Sequence, residues 1–204
     1  MPRLILGTRN EKKRRELESL LAIDSLELST LTPFPHAPSI DETGTTFVEN
    51  STLKATILAR SLGEWVLGED SGLCVDAIGG DPGIFSARYA GIPSDDERNN
   101  DKLLDELINV RDDCRQAHYV CTAVLANPIG SVVAVAQGVC HGVITRERRG
   151  NGGFGYDPLF LCESEQKTFG ELPIEFKQKV SHRAQAARLL RPKILRILAS
   201  GFWK

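Results

Sequence analysis

The order in which the apolar runs change period constrains this chain most. "RLILGT" (3–8) reads as a short strand, and "NEKKRRELESLL" (10–21) follows at once with Leu17, Leu20 and Leu21 on one helical stripe. The chain therefore opens strand, turn, helix. "LELSTL" (26–31) is a second predicted strand, and "TPFPHAPSIDETG" (32–44), with three prolines, is a loop. A helix then runs from about Thr46 to Leu62, apolar at Phe47, Leu53, Ile57 and Leu58. "WVLGED" (65–70) and "LCVDAI" (73–78) are strands, "GGDPG" (79–83) is a turn, and "SDDERNNDKLLDELI" (94–108) is an amphipathic helix opened by a Ser-x-x-Glu capping box. "HYVCTAVLA" (118–126) and "SVVAVAQGVCHGVI" (131–144), separated by "NPIG", predict a hairpin of two long strands. A glycine-rich loop, "RERRGNGGFGYD" (146–157), leads to a last short strand, "PLFLC", and to a closing helix kinked or broken before Pro192. Strand–helix units combined with a central hairpin predict an α/β fold with a mixed sheet. With no internal repeat and no low-complexity linker, residues 1–204 read as one domain, in which 79–145 can form a lobe.

Composition narrows the functions. Against 25 Lys and Arg stand 27 Asp and Glu, a net charge of −2, so bulk attraction to nucleic acid or to anionic membrane is not expected. Any bound anion must be caught locally. No apolar run approaches the roughly 20 residues that span a bilayer, and the first residues lack a signal-peptide pattern, so the expectation is a cytoplasmic protein. The five cysteines are scattered and never spaced as CxxC, which signals neither a disulfide framework nor a zinc site.

Five places carry polar residues that can do chemistry. In "GTRNEKK", Thr8, Asn10 and Lys13 lie between a strand and the start of a helix, where open α/β sheets receive anions; equally, Thr8 or Asn10 caps the helix, with Glu11 completing a Thr-x-x-Glu box. In "IDETGTTFVENSTLKA", Asp41 and Glu42 precede a helix, Glu49 can close a capping box with Thr46, and Lys54 points either to solvent or to a ligand. In "GEDSG" (68–72), Glu69 and Asp70 end a strand: the segment is either an acidic turn or a site whose carboxylate suits Mg²⁺, which takes one or two protein carboxylates and fills its shell with water and phosphate oxygens. In "GNGGFGYDP", Phe154 or Tyr156 can stack on a planar ring. "EFKQKVSHR" groups Lys177, His182 and Arg183, either a solvated face or an anion site. Jointly these supply cations for phosphates, carboxylates for a divalent metal and an aromatic for a base.

The segments "TRNEKKRREL", "DETGTTFVENSTLKA", "EDSGLCVDAIGGDPGIFSARYAG", "GVITRERRGNGGFGYDPLF" and "VSHRAQA" occur in an order that resembles the inosine triphosphate pyrophosphatase family, the non-canonical purine NTP pyrophosphohydrolases. That resemblance implies an elongated mixed sheet flanked by helices, two lobes with a central cleft, a homodimer, and Mg²⁺-dependent hydrolysis of ITP, dITP and XTP to the monophosphate and pyrophosphate. It implies a triphosphate turn of Thr8, Arg9, Asn10, Glu11, Lys12 and Lys13, with Lys54 a further phosphate ligand. Glu42 and Asp70 would hold the metal, and Asp70 would serve as base for the attacking water. Ser71, Phe154, Gly155, Tyr156, Asp157, Lys177, His182 and Arg183 would form the substrate pocket. The chain departs from the family pattern at Arg9, often Gly, and at Glu69, often Asp. Two alternatives stand beside this expectation: a pyrophosphatase for modified pyrimidine triphosphates, as in Maf-like relatives of the fold, and a nucleotide sensor without turnover.

Overall fold

The computed structural model describes residues 1–203. Its elements, in chain order, are β1 (Arg3–Leu6), α1 (Glu11–Leu20), β2 (Glu27–Ser29), α2 (Phe47–Leu62), β3 (Trp65–Val75), α3 (Asp96–Glu106), β4 (Gln116–Ala126), β5 (Val132–Ile144), β6 (Phe160–Cys162), β7 (Lys167–Thr168), α4 (Ile174–Val180) and α5 (His182–Ala199). The seven strands form one sheet in the order β2-β1-β3-β4-β5-β6-β7. β1 lies parallel to both β2 and β3, whereas β6 is antiparallel to β5 and β7, so the sheet is mixed and the protein is α/β. β4 and β5 are neighbours joined through a tight turn in which Asn127 Oδ1 accepts the Ser131 N–H at 2.9 Å.

Three expectations are corrected. "GEDSG" is not a turn: β3 runs unbroken through it, because Leu73 and Val75 beyond it are as buried as Val66 and Leu67 before it. The Ser94 box does not form; Asp95 caps α3 through the Arg98 N–H at 3.0 Å, where its negative charge also complements the helix dipole. α5 continues through Pro192. Pro192 and Arg188 both lie on the exposed side, where solvent can replace the lost donor. The Thr46–Glu49 capping box of α2 forms as expected.

The chain divides into two compact units. The first comprises 1–70, 121–138 and 183–204, and the second 71–120 and 139–182. The first has two apolar clusters. One gathers Leu4, Leu6, Trp65 and Leu67 with Leu17 and Leu21 of α1 and Ala187, Leu190 and Ile194 of α5. The other gathers Ile5 and Val66 with Ala55, Leu58 and Ala59 of α2. The second unit is built on Leu73, Val75, Leu103, Leu107, Tyr119, Phe160 and Phe169.

Candidate active site

Strand parity decides where the two acids of "GEDSG" go. Along β3, Trp65, Leu67 and Glu69 share one face, and Val66, Gly68 and Asp70 share the other. The first face meets α1 and α5 and the second meets α2, so neighbouring carboxylates enter different surroundings. Because Leu6 pairs with Leu67, both acids lie just past the carboxyl end of β1, beside the turn into α1. Open α/β sheets place ligands at this end.

Glu69 is held by three groups. Lys13 Nζ stands 3.1 Å from its Oε2, Arg183 Nη2 donates to its Oε1 at 2.9 Å, and the Cys121 thiol donates to the same oxygen at 3.3 Å. Arg183 also donates to Glu16. Burial works to lower the Arg183 pKa, but Glu69 and Glu16 outweigh it and hold the guanidinium charged. Burial drives the Cys121 thiol well up, with Glu69 adding to the effect, so it is a neutral donor.

Asp70 faces α2. Lys54 Nζ lies 2.9 Å from Asp70 Oδ1 and 3.0 Å from Glu42 Oε1, so one ammonium gathers two carboxylates from separate segments. Asp70 Oδ2 is buried and has no hydrogen-bond partner. Burial pushes the Asp70 carboxyl above the ordinary aspartate value against the pull of Lys54 and Lys13. Burial would lower Lys54, yet Asp70 and Glu42 together raise it. Among the described residues no three His, Cys, Asp or Glu gather as a metal-ligand set. A pair suffices for Mg²⁺, and an unpartnered buried carboxylate oxygen beside a second carboxylate fits that hard cation.

In the turn before α1, Asn10 is the cap: its Oδ1 accepts the Lys12 and Lys13 N–H groups at 3.0 and 3.1 Å, and Thr8 Oγ1 accepts the Asn10 N–H at 3.2 Å. Glu11 forms no box with Thr8 and pairs with Arg14 at 2.8 Å. Arg9 donates to the Ala37 carbonyl at 2.9 Å, and Lys12 is exposed.

A second constellation belongs to the second unit. Asp157 Oδ2 accepts the Phe154 N–H at 2.8 Å and lies 2.5 Å from Lys177 Nζ, which also sits 4.6 Å from the centre of the Phe154 ring. Tyr156 is buried with its hydroxyl on the Ser86 carbonyl at 2.8 Å, which leaves Phe154 as the accessible ring of the loop. His182 stacks on Tyr119 at 4.6 Å, and Ser71 is half-buried on β3. Lys177, His182 and Arg183 are all buried, which overturns the solvated-face alternative. The basic entrance of the loop is neutralised: Arg146 pairs with Asp112, Arg148 with Glu97 and Asp101, and Arg149 with Glu171.

Sequence reasoning missed Glu16, Cys121, Asp96, Asn99 and Asn100. Only the last two left a signal, an Asn-Asn pair one helical turn before the apolar Leu103 and Leu104.

A mixed α/β sheet with a capped turn after its first strand, and a lysine-bridged carboxylate pair beside that turn, defines the class: an α/β protein with an ionic site at its strand ends. The chain belongs to the Ham1 family, whose model matches residues 4–193, in agreement with the resemblance carried by its five motifs. It is 48% identical over 198 residues to the dITP/XTP pyrophosphatase of Rhodopirellula baltica, covering 97% of this chain and 95% of that protein. It is 45% identical over 200 residues to the dITP/XTP pyrophosphatase of Streptomyces coelicolor, covering 97% and 100%. Among solved structures, a HAM1 protein from Coxiella burnetii matches with a TM-score of 0.88 at 37% identity, over 96% of this chain and 100% of that one. A nucleoside-triphosphatase / dITP/XTP pyrophosphatase from Mycobacterium abscessus matches with a TM-score of 0.77 at 37% identity, over 93% and 99%.

Proposed function

We propose that this chain hydrolyses non-canonical purine nucleoside triphosphates, ITP, dITP and XTP, to the nucleoside monophosphate and pyrophosphate, removing them from the cytoplasmic nucleotide pool. The observation that carries the reading is Lys54 between Glu42 and Asp70, with the second Asp70 oxygen buried and unpartnered. Relatives named dITP/XTP pyrophosphatase at 44–48% identity support the substrate class.

Hydrolysis adds water to a phosphorus of the α–β anhydride and expels pyrophosphate, and the obstacle is charge repelling the nucleophile. Asp70 accepts the proton of that water at Oδ2, the oxygen no donor occupies. Lys13 and Lys54 offset charge building on the phosphate oxygens, and Glu69 and Glu42 hold their ammonium groups in place beforehand. Glu42 and Asp70 would hold Mg²⁺, which when bound supplies charge neutralisation and a more acidic water. In the second unit, the Phe154 ring offers a stacking face for a purine. The turn residues Thr8 to Lys13, together with Ser71, Asp157, Lys177 and His182, complete the proposed substrate contacts, and Gly155 carries the backbone that presents Phe154. Tyr156 and Arg183 act through the backbone and side chains they fix. The protein acts as a homodimer, which Phe85 and Ile92, 51% and 85% exposed, support.

A steady-state panel of ITP, dITP, XTP, dUTP, GTP and ATP, each with and without Mg²⁺ and read by pyrophosphate release, tests this. The expected kcat/KM for dITP and XTP exceeds that for ATP by about a hundredfold or more, and EDTA abolishes turnover. Equal rates on ATP and ITP, preference for a pyrimidine, or absence of pyrophosphate release would overturn it.

A further inference from the structure

A glycine-rich loop with an aromatic at its tip would ordinarily sample many conformations, since each glycine leaves backbone freedom that ordering must offset. Here one face of α3 removes that freedom. Asp96, Glu97, Asn100 and Asp101 recur at i, i+1, i+4 and i+5, the spacing of a single helical face. All four engage the loop. Arg148 at the loop entrance lies 3.1 Å from Glu97 and 2.8 Å from Asp101. At the tip, the Gly155 N–H donates to Asp96 Oδ2 at 3.0 Å, and the Gly155 carbonyl accepts from Asn100 Nδ2 at 3.0 Å. Both backbone groups of Gly155, which has a φ of +61°, are thus held by two side chains one turn apart. The opposite neighbours in sequence serve another purpose: Asn99 accepts the Ala90 N–H at 2.8 Å, and Leu103 and Leu107 anchor α3 in the apolar core.

Asn100 is fully buried. An amide there costs free energy unless its hydrogen bonds are made, and an alanine or leucine at the same place would serve a plain packing role at no such cost. Its Nδ2 bond to Gly155 is a reason for an amide donor at this position, one strong enough to keep the amide although its Oδ1 is buried without a hydrogen-bond partner. The next residue back, Phe154, has its N–H on Asp157 and its ring over Lys177. Fixing Gly155 from one side and Asp157 from the other fixes the plane of that ring.

We infer that Asp96 and Asn100 are positioning residues that set the Phe154 ring for the purine base by clamping both backbone groups of Gly155. The inference rests on the reading of Phe154 as the stacking surface. It places part of the affinity for the base on α3, whose Asp96 and Asn100 act through Gly155, because a preset plane accepts a ring without the ordering cost that a loose loop would exact.

The test pairs amide hydrogen exchange of residues 150–157 with dITP kinetics in Asp96→Ala, Asp96→Asn and Asn100→Ala. Asp96 is half-buried in the first turn of α3, so Asp96→Ala leaves the core intact even if Asn100→Ala folds poorly. In both alanine variants exchange in 150–157 accelerates about tenfold and KM for dITP rises about tenfold, one hydrogen bond's worth at about 1.4 kcal/mol per decade, while kcat changes less than twofold. Asp96→Asn keeps an acceptor and restores both. Unchanged exchange overturns the clamp, and faster exchange with unchanged KM overturns its role in base binding. Failure of the functional reading is separate: wild-type protein that releases no pyrophosphate from dITP sinks that reading, while the exchange data still decide whether α3 holds the loop.

Discussion

The surroundings of Asp70 differ from those of its neighbour on either side. A position earlier, Glu69 turns to Lys13, Arg183 and Cys121, and a position later, Ser71 lies half-buried on the same strand. Glu69 reaches the first set on one face of β3, and strand parity leaves Asp70 to Lys54 and Glu42 on the other. Asp70→Asn keeps the volume and removes both the proposed proton acceptor and the charge, so turnover of dITP is expected to fall roughly a thousandfold. Stability follows the opposite logic. The folded Asp70 value is raised, so the native state binds more protons than the unfolded chain above the ordinary aspartate value, and stability is lost as pH rises through that window. The neutral asparagine escapes this cost, and Glu42 still faces Lys54. The melting temperature of Asp70→Asn therefore stays within about 3 °C of wild type at neutral pH, and a larger fall would make Asp70 structural.

At the scale of elements, the site exists because α2 lies close on β3. A Cβ on Gly68 would sit 2.2 Å from the Ser51 carbonyl oxygen and 2.5 Å from the Ala55 nitrogen, both backbone atoms of α2. Gly68→Ala must push the helix away and take Lys54 from Asp70. The expected cost is about 3 kcal/mol or more by chemical denaturation, together with lost activity; a wild-type denaturation midpoint would refute the close approach. The start of α2 gives a pH prediction. Glu49 accepts the Thr45 N–H, the Thr45 hydroxyl and the Thr46 N–H, which hold its carboxyl below the ordinary glutamate value. A lowered folded value means stability that is fully present above the ordinary glutamate value and lost as pH falls through the folded one. Glu49→Gln should flatten that part of the acid decline in melting temperature measured from pH 6 to pH 3; an identical decline would remove Glu49 from the account. This box was legible in the sequence from its three-residue spacing, whereas the same spacing at Ser94 and Glu97 forms none because Asp95 takes the cap. The continuity of β3 was not, since "GEDSG" has local turn chemistry that burial on both flanks overrides.

For the whole molecule, a net charge of −2 gives no general attraction to a polyanion, so the placement of a few cations must do the work. If the homodimer reading holds, sedimentation equilibrium returns twice the mass of the chain, and Ile92→Asp with Phe85→Asp shifts it to one; a wild-type protein at the single-chain mass rejects that reading. The sequence by itself determined the α/β class, the capping box of α2, the five motifs and the family, because periodicity, capping and motif order are local properties carried along the chain. Tertiary structure alone decided which charge meets which. Lys13 with Glu69, Lys54 with Asp70 and with Glu42, and Arg183 with Glu16 are pairs 56, 16, 12 and 167 residues apart. Sheet order and strand parity create those meetings, and no local pattern records them. The same holds for the loop at 146–157: its glycines announce freedom, and only the packed face of α3 shows that the freedom has been withdrawn.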